Sequence, residues 1–443
     1  MVTFDQALPA LVRVCEGAPG FTALRTACAV RDLRGRLRLV VDPDPRRPPV
    51  DLAALEQGLK RELAGYFVAP IWSTSLQKVE EARLAGVLLQ QAKAWTDPAF
   101  DDPVAGTRIV SAASWKKLER RLSKQEWLES AGGRPPWELE EGKPGIVTFY
   151  SFKGGVGRTT ALAACAWQLA RAQKKVVVID LDLEAPGLGA LFEAEAERGV
   201  VDFLVDHLAT GSTDLGGIVV ERAAALGVDG ERVSVIGAGR LDASYLEKLA
   251  RLDFISEGPS TAPGGDVSPI EHALRDLLFA VFGKYRPDYI LLDSRAGLHD
   301  LAGLSLHRLA HVDVLVGRAT EQGYRGLDLT LGVLAKRKGT DTLECVVTHT
   351  FAANEGTREA LAEEEEFRAR SYESFVRNVY GPEKAQTIRV SDDGLHVPIV
   401  VRRDIRLERF SSISPIEGAF FEPWYRALRE KIEVLCTPEG GDA

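Results

Sequence analysis

Six short runs between residues 145 and 348 carry almost no polar alternation: "IVTFY", "VVVID", "VSVI", "YILLD", "VDVLV" and "ECVVT". A strand with one face in water alternates apolar and polar residues. One buried on both faces reads apolar throughout. Segments of helical periodicity separate these runs, so the pattern predicts an open, doubly wound α/β domain over residues 143–436, its mostly parallel sheet covered by helices. The last residues, 437–443, read as a frayed tail.

The first ~140 residues obey a different rhythm. "ACAVRDL" and "RLRLVVD" flank Arg34-Gly35 and predict a hairpin or two adjacent strands. Leu52, Leu55, Leu59 and Leu63 fall on one helical face, and "LQKVEEARLAGVLLQQAKAW" predicts a second helix. "TDPAFDDPVAG" reads as a loop. "SAASWKKLERRLSKQEWLESAGG" predicts a third helix with Trp115, Leu118 and Leu122 on one side and basic residues around the rest. That basic surface is either a solvated face or a contact for nucleic acid or an acidic partner. Three prolines and three glycines in "GRPPWELEEGKPG" mark a linker at about 131–143. Residues 1–142 are therefore expected to form a separate N-terminal α/β domain that binds a partner or regulates the second.

The chemistry concentrates where the first apolar run ends. "FYSFKGGVGRTTALAACAWQLA" is strand, glycine-rich turn and helix, the setting a phosphate-binding loop requires. Gly154, Gly155 and Gly157 let backbone N–H groups point at phosphate oxygens without Cβ atoms in the way. The helix that follows aims the positive end of its dipole at the same anion. Thr159 stands where a hydroxyl can ligate Mg²⁺, and Thr160 where one can reach an inner phosphate. Two more apolar runs end in carboxylates: Asp180 with Asp182, and Asp293. Carboxylates at strand ends can organise a magnesium water shell or orient an attacking water.

"KGGVGRTT", "DLDLEAPGL" and "LLDSRAG", in this order, resemble the deviant Walker-A ATPases of the ParA/MinD type, in the variant whose loop reads KGGVGR. The resemblance covers roughly residues 143–436 and implies a P-loop NTPase fold binding ATP and Mg²⁺. It implies that the loop Lys153, Gly154, Gly155, Val156, Gly157, Arg158, Thr159 and Thr160 holds the nucleotide. Lys153 would reach the partner's nucleotide in a homodimer that sandwiches ATP, Asp182 would orient the hydrolytic water, and Asp180 and Asp293 would serve the metal. Arg158 takes the place of the loop lysine. Its charge persists, but its planar fork holds phosphates differently from a point charge, so turnover is expected to be slow. In "VPIVVRRDIRLERF", Asp404 matches the residue that borders the adenine, while Arg402 replaces a proline. His349 and Asn354 are further candidates near the base.

A net charge of −9 and a pI near 5.5 weigh against a protein coated in positive charge. Arg402, Arg403, Arg406 and Arg409 either contact DNA nonspecifically, as late basic residues do in some ParA-like proteins, or form surface ion pairs. Five scattered cysteines without a CxxC, no secretory leader and no long apolar run predict a cytoplasmic protein without a membrane anchor. The expected function is a slow, Mg²⁺-dependent ATPase that couples ATP state to a protein partner. The alternatives are a catalytically inactive nucleotide-binding scaffold and a kinase-like phosphoryl transferase.

Overall fold

The computed structural model describes residues 2–75, 79–95, 100–101, 108–109, 114–120, 125–128, 133–255, 268–339, 343–408 and 410–438. Met1–Leu122 forms one compact unit and Ser123–Ala443 another.

In the first unit, β1 (Leu24–Arg31) and β2 (Leu37–Pro43) form the expected antiparallel hairpin. Its turn is set by Asp32, whose carboxylate accepts bonds from the N–H groups of Arg34 and Arg36, and by Gly35 at φ +80°. Short strands β3 (Trp72–Ser73) and β4 (Lys93–Ala94) flank the sheet, β5 (Phe100–Asp101) pairs with β6 (Arg108–Ile109), and β7 (Trp115–Glu119) lies parallel to β1. The five-stranded order is β3-β2-β1-β7-β4. Helices Phe4–Glu16 and Leu52–Leu63 cover one face through Leu8, Leu11, Leu55 and Leu59. Helix Val79–Gln91 closes the other through Ala85 and Leu89.

The helix expected over residues 111–133 is not what forms. Trp115, Leu118 and Leu122 recur at a spacing that fits a helix, but pairing with β1 makes Trp115–Glu119 a strand. Trp115 is buried on Phe21 and donates its indole N–H to Glu16 Oε1 at 2.8 Å. The basic residues are engaged inside the chain: Lys116 with the Leu89 carbonyl, Lys117 with Glu119, Arg120 with Gln91. Arg121 and Lys124 lie outside the described residues, as does most of the "TDPAFDDPVAG" loop. Among the described residues of this stretch only Gln125–Leu128 is helical, and Trp127 belongs to the second unit, donating to the His299 carbonyl. The Pro/Gly run beyond it is also packed there. Trp137 is buried against Phe279 and Phe282 and donates to the Pro144 carbonyl.

The six apolar runs become β8 (Gly145–Tyr150), β9 (Val176–Asp180), β10 (Val233–Ile236), β11 (Tyr289–Asp293), β12 (Val312–Gly317) and β13 (Cys345–Ala352). With β14 (Ile399–Arg402) they make a seven-stranded parallel sheet, ordered β10-β9-β11-β8-β12-β13-β14. Helices Arg158–Arg171 and Pro423–Leu435 bury one face, and Val200–Thr210 with Pro269–Tyr285 the other. Both faces are covered, which is why these strands carry no alternation. Among the described residues no helix is long and apolar enough to cross a membrane.

Register decides what meets at the carboxyl edge. In the ladder Asp293 pairs with Asp180 on one side and with Phe149 on the other. The two strand-end carboxylates and the start of the glycine loop are thereby brought side by side.

Candidate functional site

The loop leaving β8 takes two left-handed residues, Gly155 at φ +72° and Gly157 at φ +82°, conformations a side chain disfavours. Gly157 caps helix Arg158–Arg171, whose first N–H groups face out of the helix end. A Cβ added at Gly154 or Gly155 would meet no protein atom within 4 Å. Val156 is buried, and its carbonyl accepts a 2.7 Å bond from the Thr350 hydroxyl, which also reaches the Gly317 carbonyl. Lys153 is exposed at the rim. Phe152 presses on helix Glu321–Lys338: a Cβ on Gly326 would fall 2.3 Å from its Cγ. It helps line a cavity of about 80 Å³ with Tyr150, Leu327, Thr330 and Phe367.

Arg158, Asp182, Asp293 and Thr159 form one hydrogen-bonded cluster. Arg158 Nε donates to Asp293 Oδ1 at 2.6 Å, and a terminal guanidinium nitrogen donates to Asp182 Oδ2 at 2.8 Å. Thr159 Oγ1 donates to Asp293 Oδ2 at 2.7 Å. Both Arg158 and Asp182 are only 8% exposed, and Asp293 is 1%. Burial opposes the guanidinium charge, but Asp293 and Asp182 outweigh it and hold Arg158 more firmly protonated than usual. Burial pushes Asp293 up, with Arg158 and Thr159 pulling against it.

Asp180 is fully buried and accepts three backbone N–H bonds, from Asp182, Gly187 and Leu188. Burial, then the charge of Asp293, raises it to about 7. Arg158 bonds two of the three carboxylates, so the cluster keeps an excess of negative charge where burial makes it costly. An oxygen-rich, electron-rich donor set of this kind fits a hard divalent cation such as Mg²⁺. Thr159 Oγ1, Asp293 and Asp180 are the groups that would serve it.

Beside Gly157 and Thr160 lies a small pocket lined by Thr350, Phe351, Val401, Asp404 and Tyr425. The sequence marks Asp404 here, and its carboxylate is bound by Arg406 at 2.9 Å, which holds it below the usual carboxylate range. The sequence gives no sign of Phe351. A register shift between Thr350 and Ala352 bulges β13 and leaves Phe351 at φ +56°, a strained conformation for an aromatic residue. The bulge sets its ring near Gly157, under the Arg318 guanidinium at 4.3 Å. His349 is elsewhere, buried in a stack on Phe367 and facing Glu363, and Asn354 is exposed on a loop outside the pocket lining. Arg402 pairs with Glu355 and Glu364, Arg403 with Glu408, and Arg406 with Asp404 and Glu422. Arg409 lies outside the described residues.

The family described as CobQ/CobB/MinD/ParA nucleotide binding domain matches residues 147–371, just over half of the chain. Over 53 residues the chain is 47% identical to an uncharacterised ATP-binding protein of Methanocaldococcus jannaschii, covering 12% of this chain and 20% of that one. The chain thus spans about a fifth of that relative's length. The cell division ATPase MinD of Pyrococcus furiosus is 19% identical with a TM-score of 0.40, covering 66% of this chain and 100% of its own. ParA of pNOB8, solved on nonspecific DNA, is 16% identical with a TM-score of 0.43, covering 66% and 98%.

Proposed function

The chain belongs to the CobQ/CobB/MinD/ParA family of nucleotide-binding domains, and from that premise we propose that it is a Mg²⁺-dependent ATPase switch. ATP state would control a homodimer, and the Met1–Leu122 unit would pass that state to a protein partner in the cytoplasm. The observation that carries this reading is the meeting of Arg158, Thr159, Asp182 and Asp293 at the mouth of the glycine loop.

The cluster suggests how the switch works. Arg158 bridges Asp182 and Asp293 with a single positive charge. Phosphate oxygens at the loop compete for the same guanidinium through charge-assisted bonds. As Arg158 turns toward them, Asp182 would be freed to orient a water, and Asp293 and Thr159 are the groups that would hold Mg²⁺. When bound, Mg²⁺ supplies charge neutralisation across the phosphates. In this reading the adenine lies against Phe351, which lines the pocket beside Gly157, and Lys153, which is exposed, would reach a second copy. Turnover is slow in this scheme, because Arg158 must leave both aspartates before Asp182 can orient a water.

Light scattering and phosphate release test the scheme together. Asp182→Ala should accumulate an ATP-dependent dimer while lowering turnover by roughly 100-fold or more. Lys153→Ala should weaken the dimer and leave monomer affinity for ATP intact. Turnover unchanged in Asp182→Ala would remove its water-orienting role. Phosphate release at background in the wild type would favour the inactive scaffold.

A further inference from the structure

The scattered histidines and cysteines of the sequence weigh against a structural zinc site, yet the fold gathers three donors away from the nucleotide loop. Helical spacing of i and i+4 puts His272 and Asp276 on one face of Pro269–Tyr285. The last turn of Val200–Thr210 brings His207 onto that face from 65 residues earlier in sequence. His207 Nε2 lies 2.8 Å from Asp276 Oδ2, and His272 Nε2 lies 3.6 Å from the same oxygen. All three ligand atoms fall within 4.8 Å of one another.

We propose that His207, His272 and Asp276 form a binding site for a divalent transition metal, zinc by ligand type. Two imidazoles and a carboxylate are the donors that Zn²⁺ takes, at bonds of about 2.0–2.2 Å. A tetrahedral centre with such bonds spaces its ligand atoms roughly 3.3 Å apart, so the 2.8 and 3.6 Å separations bracket the requirement. On binding, His207 takes the neutral tautomer with its proton on Nδ1, so that Nε2 and Asp276 Oδ2 both offer lone pairs to the metal. The side chain of His207 is 7% exposed, that of Asp276 30% and that of His272 53%. One wall is therefore fixed in the core, and the other is open for entry and for a water as fourth ligand.

A buried histidine with a purely structural role ordinarily satisfies both nitrogens. Among the described residues His207 Nδ1 has no hydrogen-bond partner, and the ring is oriented by its stack on Phe203, its edge contact with His272 and its bond to Asp276. Small movement onto a metal breaks no bond at Nδ1. The same feature sets the affinity: without an outer hydrogen bond the site should bind about 10–100-fold more weakly than one that has it. Once filled, it ties the end of helix Val200–Thr210 to helix Pro269–Tyr285.

The test uses full-length, tag-free protein stripped with EDTA and titrated with CoCl₂. The wild type should develop the intense visible absorption of tetrahedral cobalt, saturating at one equivalent and displaced by ZnCl₂. His272→Ala alters a half-exposed side chain and should abolish the band, as should Asp276→Asn. ZnCl₂ should raise the Tm of the wild type and leave that of His272→Ala unchanged. No tetrahedral band at saturating cobalt, or one that persists in His272→Ala, overturns the proposal.

Discussion

Arg158 is the residue on which the site turns. It is buried between two carboxylates that belong to different strand ends, with a third, Asp180, paired with Asp293 across the ladder. Removing one partner of a buried ion pair costs far more than the pair contributes, because the charges left behind have no solvent. Arg158→Ala should therefore lose roughly 3–5 kcal/mol in urea unfolding without metal. MgCl₂ should recover more of that stability in the variant than it adds to the wild type. Equal magnesium effects would show that the carboxylates do not attract the cation. Phe351 permits a second test at this scale. Stacking a base on an aromatic ring contributes about 1–3 kcal/mol, so Phe351→Ala should weaken ATP by about 5- to 150-fold and leave tripolyphosphate binding unchanged. Equal losses for both ligands would move the base out of the pocket.

At the scale of elements, the loop meets helix Glu321–Lys338 where Phe152 lies against Gly326. The first glycine of an ordinary phosphate loop is absent here, and a glycine on the facing helix makes room for the phenylalanine that replaces it. Gly326→Ala should overpack this contact and cost about 1–3 kcal/mol. Combining it with Phe152→Gly should relieve the clash, so the two changes should be non-additive by more than ~0.5 kcal/mol. Additive effects in urea denaturation would mean that loop and helix are independent. The elements also show where a sequence can mislead. The strands of the parallel sheet were legible because burial on both faces leaves its mark on every residue of a run. Trp115–Glu119 was not, because Trp115, Leu118 and Leu122 at spacings of three and four suit a helix, and pairing with β1 and β4 makes Trp115–Glu119 a strand.

For the whole molecule, the sequence places the glycine loop and both carboxylate motifs, each of which is local. What it does not reveal depends on where distant segments meet. The grip of Arg158 on Asp182 and Asp293 requires the ends of β9 and β11 to be neighbours. The exposure of Phe351 to the loop requires a bulge in β13. His207 reaches His272 and Asp276 only after two helices pack on one face of the sheet. The unit boundary likewise follows from packing: Trp127 and Trp137 draw the Pro/Gly-rich stretch into the second unit. The central claim, that Arg158 exchanges two aspartates for a triphosphate, is most directly measured by titrating ATP calorimetrically into the full-length protein with Mg²⁺. One molecule should bind per chain, with affinity reduced by EDTA and largely kept in Arg158→Lys. Absence of binding heat in the wild type across several temperatures, with no shift of Tm by Mg²⁺ and ATP, would contradict it.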